Sequence, residues 1–556
     1  MFNMLSFFNE TRLPPDPFAT RKTVALWLDE LPNADTAATQ TKILDALVQL
    51  RDENKHQQKD HLEVIMALDD YAQPLLATLS EQYLRNSRMS TAMETKLWQA
   101  IHDYYSEISI AYYSVISIAV ANPTQSLLGP FIAVISLRAL HNLGHLFKWR
   151  FMHYDQLDEN LWHMLHDLYK VAESREFINQ PMALYNAAES SCANQYVRAL
   201  LLAQIHPSTL QAKQIELADG WLLKWVHLVE IATTPTTGRY HFYVDLTKPA
   251  GAEPIANPTH PDSCRCWDAS LLIGQLRRIR SEIKKRQQNP KTENDPRLPE
   301  YLKVLDYIEL QWNPGNLGKL RKDPRRAAKK ILQVVHGFNA IRNIIKDGTT
   351  HKDSVPEYDA QVKYAEMVDI QLFGFVTMAT RNRNEKTLAQ SKAAETPYEN
   401  WEAENESAKG YLARSPSNKH DSLRLGCLAG LKSEGDEHWQ IAVVRRLSKP
   451  RNATTRIGME VLAQKPALLT LQALSKLPQL GTSVGKQPAS PNTEPIAALL
   501  TSTIQDGQLT LIIEIPQYAK ERQFKIITEQ SSTLITLGNI LEKGDSWICV
   551  EASLVS

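Results

Sequence analysis

Two polar segments of this chain carry side chains suited to bind an anionic ligand with hydrogen-bonding edges. The segment Asn405–Gly410 reads Asn-Glu-Ser-Ala-Lys-Gly, which fits the pattern Asn/Asp-x-Ser-x-x-Gly. The amide of Asn405 can pair with a polar ring edge, the Ser407 hydroxyl can reach a phosphate or the local turn, and Gly410 permits a close approach or a positive φ. The basic segment 319–330 supplies guanidinium and ammonium groups ahead of a strand-like stretch. Together these residue types indicate binding rather than catalysis.

The basic segment offers two spacings of its cations. Arg321 and Arg325 are separated as Arg-x-x-x-Arg, while Arg325, Arg326 and Lys329 follow Arg-Arg-x-x-Arg with lysine in the last place. A planar guanidinium can bind two acceptors at once, whereas a lysine ammonium acts as a point charge. A second basic arm at 381–383 lies nearer to the motif but has the wrong spacing. We favour the Arg321/Arg325 arm over that one, and an ordinary basic linker stays open as the alternative.

The arm, the motif and a downstream hairpin together resemble the PilZ family, small β-barrels that bind cyclic di-GMP. The hairpin pattern runs over 439–447 and 457–462, and the resemblance covers about 319–465 with an insertion at about 347–400. It implies cyclic di-GMP as the ligand and no other cofactor. This ligand is a dianion whose guanines present O6 and N7 acceptors that match an arginine fork. The ligand-binding residues implied by the resemblance are Arg321, Arg325, Arg326, Asn405, Ser407 and Gly410.

The chain also departs from the family pattern. Many members have a second glycine just before the final one, where this chain has Lys409. The path from the basic arm to the motif is normally short, but here the insertion separates them. The first departure could change the turn of the motif, and the second lengthens the path between the arm and the motif.

Histidine pairs raise a metal-enzyme alternative. His141 and His145 are four residues apart and His163 and His166 three apart, all on predicted helices. Such pairs bind zinc or iron when carboxylates join them. The metalloprotease pattern His-Glu-x-x-His is absent. We therefore favour histidines packed among aromatic side chains, with no metal site and no catalytic residue.

Composition restricts the class of protein. The chain has 556 residues, enough for several domains. Its 62 basic residues balance its 62 acidic ones, so the overall charge does not favour binding to DNA or RNA. Five scattered cysteines, with Cys264 and Cys266 interpreted as loop thiols, fit a reducing cytosol. The segment 1–8 lacks a secretory pattern. The apolar runs 108–121 and 127–137 are shorter than the roughly 20 residues of a membrane span, which predicts buried core helices.

The elements that must position the site belong to a predicted α+β multidomain fold. Three- and four-residue apolar spacing predicts an N-terminal all-α domain of antiparallel helices. After 331, short alternating segments punctuated by glycine predict a small antiparallel β-barrel of PilZ type and an additional small β module. The predicted organisation is an N-terminal tail (1–19), a helical domain (20–235), a mixed connector with a strand and a basic helix (236–318), the barrel (319–465), a linker (478–495) and the C-terminal β module (496–556).

Three interpretations of function remain open at this level. The preferred one is a soluble, cytoplasmic bacterial effector, not an enzyme, in which cyclic di-GMP folds the basic arm onto the barrel and changes how the helical half engages a protein partner. The second is an adaptor whose barrel no longer binds nucleotide. The third is a metal-dependent helical enzyme. No DNA or RNA partner and no membrane span are expected.

Overall fold

A computed structural model describes most of the chain in two units. The units are 1–322 together with 448–451, and 323–447 together with 452–556. The described residues are 16–32, 35–52, 59–86, 89–122, 128–185, 189–233, 240–255, 262–289, 295, 297–313, 324–347, 380, 398–416, 423–450, 454–474, 495–501, 508–527 and 532–555.

Helices dominate the described part of the first unit. Each turns a stripe of apolar side chains toward a common core, as three- and four-residue spacing requires. The helices are α1 (Arg21–Asp29), α2 (Thr36–Asp52), α3 (Lys59–Arg85), α4 (Thr91–Ala121), α5 (Ile132–Met152), α6 (Glu159–Ser174), α7 (Cys192–Gln204), α8 (Ala212–Trp225), α9 (Ser270–Gln287) and α10 (Arg297–Trp312).

The two apolar runs of the sequence are core helices. The run 108–121 is the second half of α4, and the described part of 127–137 leads through a 3-10 turn at Gly129–Phe131 into α5. The two helices pack against each other, and Tyr112 and Leu137 are fully buried. Among the described residues, no helix combines the length and apolar character needed to cross a bilayer.

The described part of the first unit also contains short strands, and some of them lie in the region predicted as a connector. They are β1 (Met182–Ala183), β2 (Glu189–Ser190), β3 (Ile231–Ala232), β4 (Phe242–Asp245), β5 (Glu253–Pro254) and β6 (Cys264–Trp267), with β3-β6-β4-β5 forming one sheet. Cys264 and Cys266 therefore lie on a strand rather than in a loop. Both point inward because side chains alternate along a strand, and burial raises the pKa of each thiol.

The second unit contains two closed six-stranded barrels. A helix, α11 (Phe338–Asp347), follows the first strand of the first barrel. The strands of the first barrel are β7 (Arg326–His336), β8 (Glu399–Ser407), β9 (Gly410–Arg414), β10 (Leu428–Ser433), β11 (Gln440–Ser448) and β12 (Arg456–Ala463). Those of the second are β13 (Ala467–Ala473), β14 (Ile496–Leu500), β15 (Gln508–Glu514), β16 (Gln523–Ile527), β17 (Ser532–Lys543) and β18 (Trp547–Leu554).

The two barrels share one topology. Around the first barrel the strands run β7-β8-β9-β12-β11-β10, and around the second they run β13-β14-β15-β18-β17-β16, each ring closing on its first strand. The α+β multidomain prediction is confirmed. The C-terminal β module was predicted to begin at residue 496, but the second barrel begins at Ala467. Strand β13 pairs with both β14 and β16 and thereby closes this barrel. The stretch 478–495, predicted as a linker, falls within the β13–β14 connection and lies mostly outside the described residues.

An apolar cluster joins the two barrels and α11. Ile341 of α11, Ile441 of the first barrel and Trp547 of the second are fully buried in it. The Trp547 indole donates a hydrogen bond to the carbonyl of Gly426 at 2.7 Å. At the edge of this contact, the Arg445 guanidinium forms an ion pair with Glu542 of the second barrel. The second barrel also has its own apolar interior.

Candidate functional site

The basic segment and the motif meet at one end of two neighbouring strands. Strand β7 begins where β8 ends, and their antiparallel ladder places Arg326 opposite Glu406 and Ala327 opposite Asn405. In sequence, the insertion follows α11, which comes after the other end of β7, and it ends at the start of β8. Although the arm and the motif are far apart in sequence, the pairing of β7 with β8 therefore brings them together.

A β-bulge decides which way the motif faces. Between Ala403 and Asn405, strand β8 has one residue more than its partner β9. Ala403 is buried inside the barrel, and the extra residue shifts the alternation so that Asn405 and Ser407 face outward. Glu406 faces the interior end of the barrel, opposite Tyr411. The motif thus presents its amide and hydroxyl to the surface and turns its carboxylate away.

The outward side chains of the motif are accessible to a ligand. Asn405 is half-buried, and its amide has no hydrogen-bond partner within the described part of the chain. The Ser407 hydroxyl contacts the carbonyl oxygen of Gly410 at 3.4 Å, which supports the β8–β9 turn. An amide offers both donors and an acceptor, so Asn405 is equipped to pair with a guanine edge.

Gly410 is needed for a reason other than a positive φ. Gly410 does not have a positive φ; a Cβ at this position would lie 2.1 Å from the carbonyl oxygen of Met459 on β12. The neighbouring Lys409 carbonyl accepts a hydrogen bond from the Val461 amide at 2.8 Å. The glycine therefore lets the hairpin backbone lie against β12 and shapes the turn that carries Ser407.

The described arginines of the arm are exposed and available. Arg325 and Arg326 are both exposed, and neither guanidinium has an ion pair with any residue that the structure describes. Arg321 lies outside the described residues, as do Arg381 and Arg383 of the alternative arm. The structure thus brings Arg325 and Arg326 to the motif, together with Asn405, Ser407 and Gly410.

A polar cluster at the same end of the barrel was missed from the sequence. It consists of Lys330, Glu406 and Tyr411, and we refer to it as the mouth cluster. Lys330 Nζ lies 2.6 Å from Glu406 Oε2 and 4.9 Å from the centroid of the Tyr411 ring. Partial burial alone would lower the pKa of Lys330, but the hydrogen bond to Glu406 and the nearby negative charges raise it overall. The ammonium is therefore held charged beside the motif.

The histidines at 141 and 145 are built into a buried network of α5, α7 and α8. His141 Nδ1 lies 3.2 Å from Gln195 Oε1, and His145 Nε2 lies 3.3 Å from the Arg198 guanidinium. Burial, reinforced by neighbouring cations, lowers the pKa of His141 to about 3 and also lowers the pKa of His145. A guanidinium at the imidazole nitrogen of His145 competes with a metal ion for the same lone pair.

The second histidine pair does not converge on one point. His163 is exposed, whereas His166 is fully buried between the Tyr196 hydroxyl at 2.8 Å and the Ala250 carbonyl at 3.0 Å. Burial lowers the pKa of His166 to about 4. In the described residues, no three His, Cys, Asp or Glu side chains are grouped so as to hold a metal ion.

A closed six-stranded barrel with an Asn-x-Ser-x-x-Gly hairpin beside a basic arm is the architecture of a PilZ domain. Comparison with known families agrees with this class. Residues 22–236 match the N-terminal domain of the cyclic-di-GMP receptor FimW, and residues 345–467 match the middle PilZ domain of that receptor. The cyclic-di-GMP receptor FimW of Pseudomonas aeruginosa is 22% identical over 503 residues, which cover 83% of this chain and 80% of that protein. The chain contains a PilZ domain, and both matched ranges are similar to domains of the FimW receptor.

Proposed function

We propose that this chain is a receptor for cyclic di-GMP and binds it at the end of the first barrel where β7 begins and β8 ends. The observation that carries the proposal is the strand register that sets Arg326 and Ala327 opposite Glu406 and Asn405. It unites the two sequence segments that have the chemistry for a guanine dinucleotide. The proposed ligand-binding residues are Arg321, Arg325, Arg326, Asn405, Ser407 and Gly410.

Each group has a distinct task in this proposal. Side chains alternate along an extended chain, so Arg325 lies on the same side as Ala327 and Asn405. There its guanidinium can donate hydrogen bonds to the O6 and N7 atoms of a guanine or to a phosphate. Arg326 projects on the side of Glu406 and supplies positive charge to the ligand's phosphates. Asn405 pairs with a guanine edge, and Gly410 holds the hairpin in the shape that exposes Ser407.

The comparisons support the ligand but not the choice of arm. The FimW relative is described as a cyclic-di-GMP receptor, and the match to its PilZ domain includes the Asn-x-Ser-x-x-Gly motif. That match begins at residue 345, so the segment 319–330 lies outside both matched ranges. The choice of 321–326 over 381–383 rests on the Arg-x-x-x-Arg spacing and on the register of β7 and β8.

We further propose that ligand binding is the signal that this protein passes on, without catalysis. The arm spans the sequence boundary between the two units at 322–323, so ordering it restricts the segment that joins them. A protein partner of the helical unit would then respond to the ligand. All five cysteines are free thiols, which supports a reducing compartment such as the bacterial cytoplasm.

Calorimetric titration of the full chain with cyclic di-GMP tests the proposal. We expect a dissociation constant in the micromolar range or tighter, about −8 kcal/mol or better. Cyclic di-AMP serves as the control ligand, because adenine lacks the O6 acceptor and offers an amino donor in its place. Asn405→Ala should weaken binding of the guanine ligand. An absence of heat and of thermal stabilisation at high ligand concentration would reject the receptor and favour the adaptor.

A further inference from the structure

The motif contains a negative charge in the middle of a proposed binding site for a dianion. Glu406 stands between the two outward residues Asn405 and Ser407, and the β7–β8 ladder sets it directly opposite Arg326. Directly opposed residues of an antiparallel pair have Cβ atoms about 5 Å apart, within reach of a salt bridge. Left alone, this carboxylate would repel a phosphate or occupy the Arg326 guanidinium.

The structure shows a different partner for Glu406. Its carboxylate contacts the Lys330 ammonium at 2.6 Å, while Arg326 has no ion pair with a described residue. The side chains of Lys330 and Glu406 are 34% and 38% exposed, so the pair sits at the barrel mouth rather than in bulk solvent. The Tyr411 ring, 4.9 Å from the ammonium, gives Lys330 a second attractive contact.

A second bulge makes this pairing reachable. Between the pairs Ala327–Asn405 and Lys330–Ala403, β7 advances three residues while β8 advances two. Lys330 therefore shares the inner face with Ala403, which is buried, and its side chain turns toward the mouth of the barrel. The bulge on β7 and the bulge on β8 thus aim Lys330 and Glu406 at the same place.

We propose that Lys330 is a positioning residue for ligand binding: it holds the Glu406 carboxylate in the barrel mouth, neutralises it, and so leaves Arg326 free for the ligand's phosphates. This inference rests on the proposed function and adds to it a residue that need not touch the nucleotide. It also explains how an acidic residue is tolerated inside an anion-binding motif.

The test compares cyclic di-GMP affinities of matched variants of the full chain by calorimetry. Lys330→Met should weaken binding about tenfold, because a charged hydrogen bond is lost and the freed carboxylate opposes the ligand. Glu406→Gln should bind as well as the wild type or better. The double variant should recover the affinity of Glu406→Gln, and Lys330→Arg should stay within about twofold of the wild type because it keeps the charge.

A control separates positioning from a general loss of positive charge. Lys432→Met removes one cation from the neighbouring strand β10, where Lys432 lies opposite Gln333. It should leave affinity unchanged. Thermal unfolding of every variant shows that the fold is retained. If Lys330→Met does not fold, Lys330→Gln replaces it with the same expectation, because it also removes the charge.

Three outcomes would overturn the inference even if the wild type binds cyclic di-GMP. If Lys330→Met binds like the wild type, the pair has no role in binding, while the receptor function stands. If Lys330→Met is weak and the double variant equally weak, Lys330 contacts the ligand itself. If Glu406→Gln alone weakens binding, the carboxylate is a ligand contact. An absence of binding by the wild type rejects the proposed function and this inference together.

Discussion

The two barrels of the second unit have the same strand topology but different chemistry at equivalent ends. In the first barrel the ladder between its first two strands ends on Arg326 opposite Glu406. In the second barrel the equivalent ladder ends on Ala467 opposite Leu500. A charged pair beside a half-buried, outward-facing amide is thus replaced by two apolar side chains. Topology alone therefore does not make a binding site, which depends on the side chains placed on it.

The hairpins differ in the same way. The first barrel has Asn405–Gly410 between β8 and β9, while the equivalent connection of the second, 501–507, reads Thr-Ser-Thr-Ile-Gln-Asp-Gly and lacks the motif. The first barrel places Lys330 and Glu406 on its inner side, whereas the core cluster of the second is formed by apolar side chains. The residues of the proposed ligand site therefore belong to the first barrel.

The largest expected effect comes from breaking the contact that the barrels share. Trp547→Ala removes a fully buried indole and its hydrogen bond to Gly426. Loss of such a side chain costs about 3–5 kcal/mol of unfolding free energy. Leu541→Ala on the exposed part of β17 is the control and should change little, since Leu541 is 52% exposed. Denaturant unfolding measures both. A loss under about 1 kcal/mol for Trp547→Ala would show that the barrels do not depend on each other.

A smaller effect should distinguish two strand glycines, one from each barrel. Gly410→Ala places a Cβ 2.1 Å from the Met459 carbonyl, so the hairpin must move, at a cost of about 2–3 kcal/mol. Gly538→Ala in the second barrel meets Glu551 Cβ at 3.3 Å, which a small shift relieves. Thermal melts of the two variants report the difference. Equal stability of the two variants would mean that the hairpin does not press on β12 as described.

The next prediction concerns basic residues that precede or begin the first strand of each barrel. Arg325→Ala should cost about 1–3 kcal/mol of cyclic di-GMP binding free energy, more than Lys329→Ala, because a bidentate contact is lost. Lys465→Ala, just before the first strand of the second barrel, should have no effect. Calorimetric titration measures all three. If Arg381→Ala or Arg383→Ala proves the damaging change, the arm at 381–383 is the ligand-binding one.

The smallest effect is expected from the outer charges of the first barrel. Glu404 contacts Arg456 at 2.9 Å and also Arg414; burial raises its pKa, but these hydrogen bonds outweigh that and lower it. Solvent screening limits the contribution of such a pair, so Glu404→Gln should cost under about 1 kcal/mol of stability at pH 7.

The pH dependence of that difference checks its origin. A lowered folded-state pKa gives stability that is present above the ordinary glutamate pKa of about 4.3 and is lost as pH falls through the folded value. The gap between the wild type and Glu404→Gln should therefore close in acid. A gap that does not change as the pH is lowered would point to packing rather than charge.

Several elements were predictable because their signals are local. The basic helix predicted within the connector 236–318 is α9, Ser270–Gln287, since its apolar spacing is complete within the segment. The strand predicted at 439–447 is β11, Gln440–Ser448. Strand β13 was missed, because it follows β12 after only three residues and its apolar run carries no turn signal at its end. Without β13, the second barrel could not be recognised as a repeat of the first topology.

The sequence by itself determined the residue types of the candidate site: an asparagine, a serine and a glycine at fixed spacing, and arginines in a basic arm. It also determined the division into helical and barrel halves, since periodicity is a property of neighbouring residues. Only the tertiary structure decided that arm and motif are adjacent, that a bulge on β8 turns Asn405 outward and Glu406 inward, and that Lys330 contacts that carboxylate. Register between strands arises from pairing across long sequence separations, and shifting it by one residue sends every side chain to the opposite face.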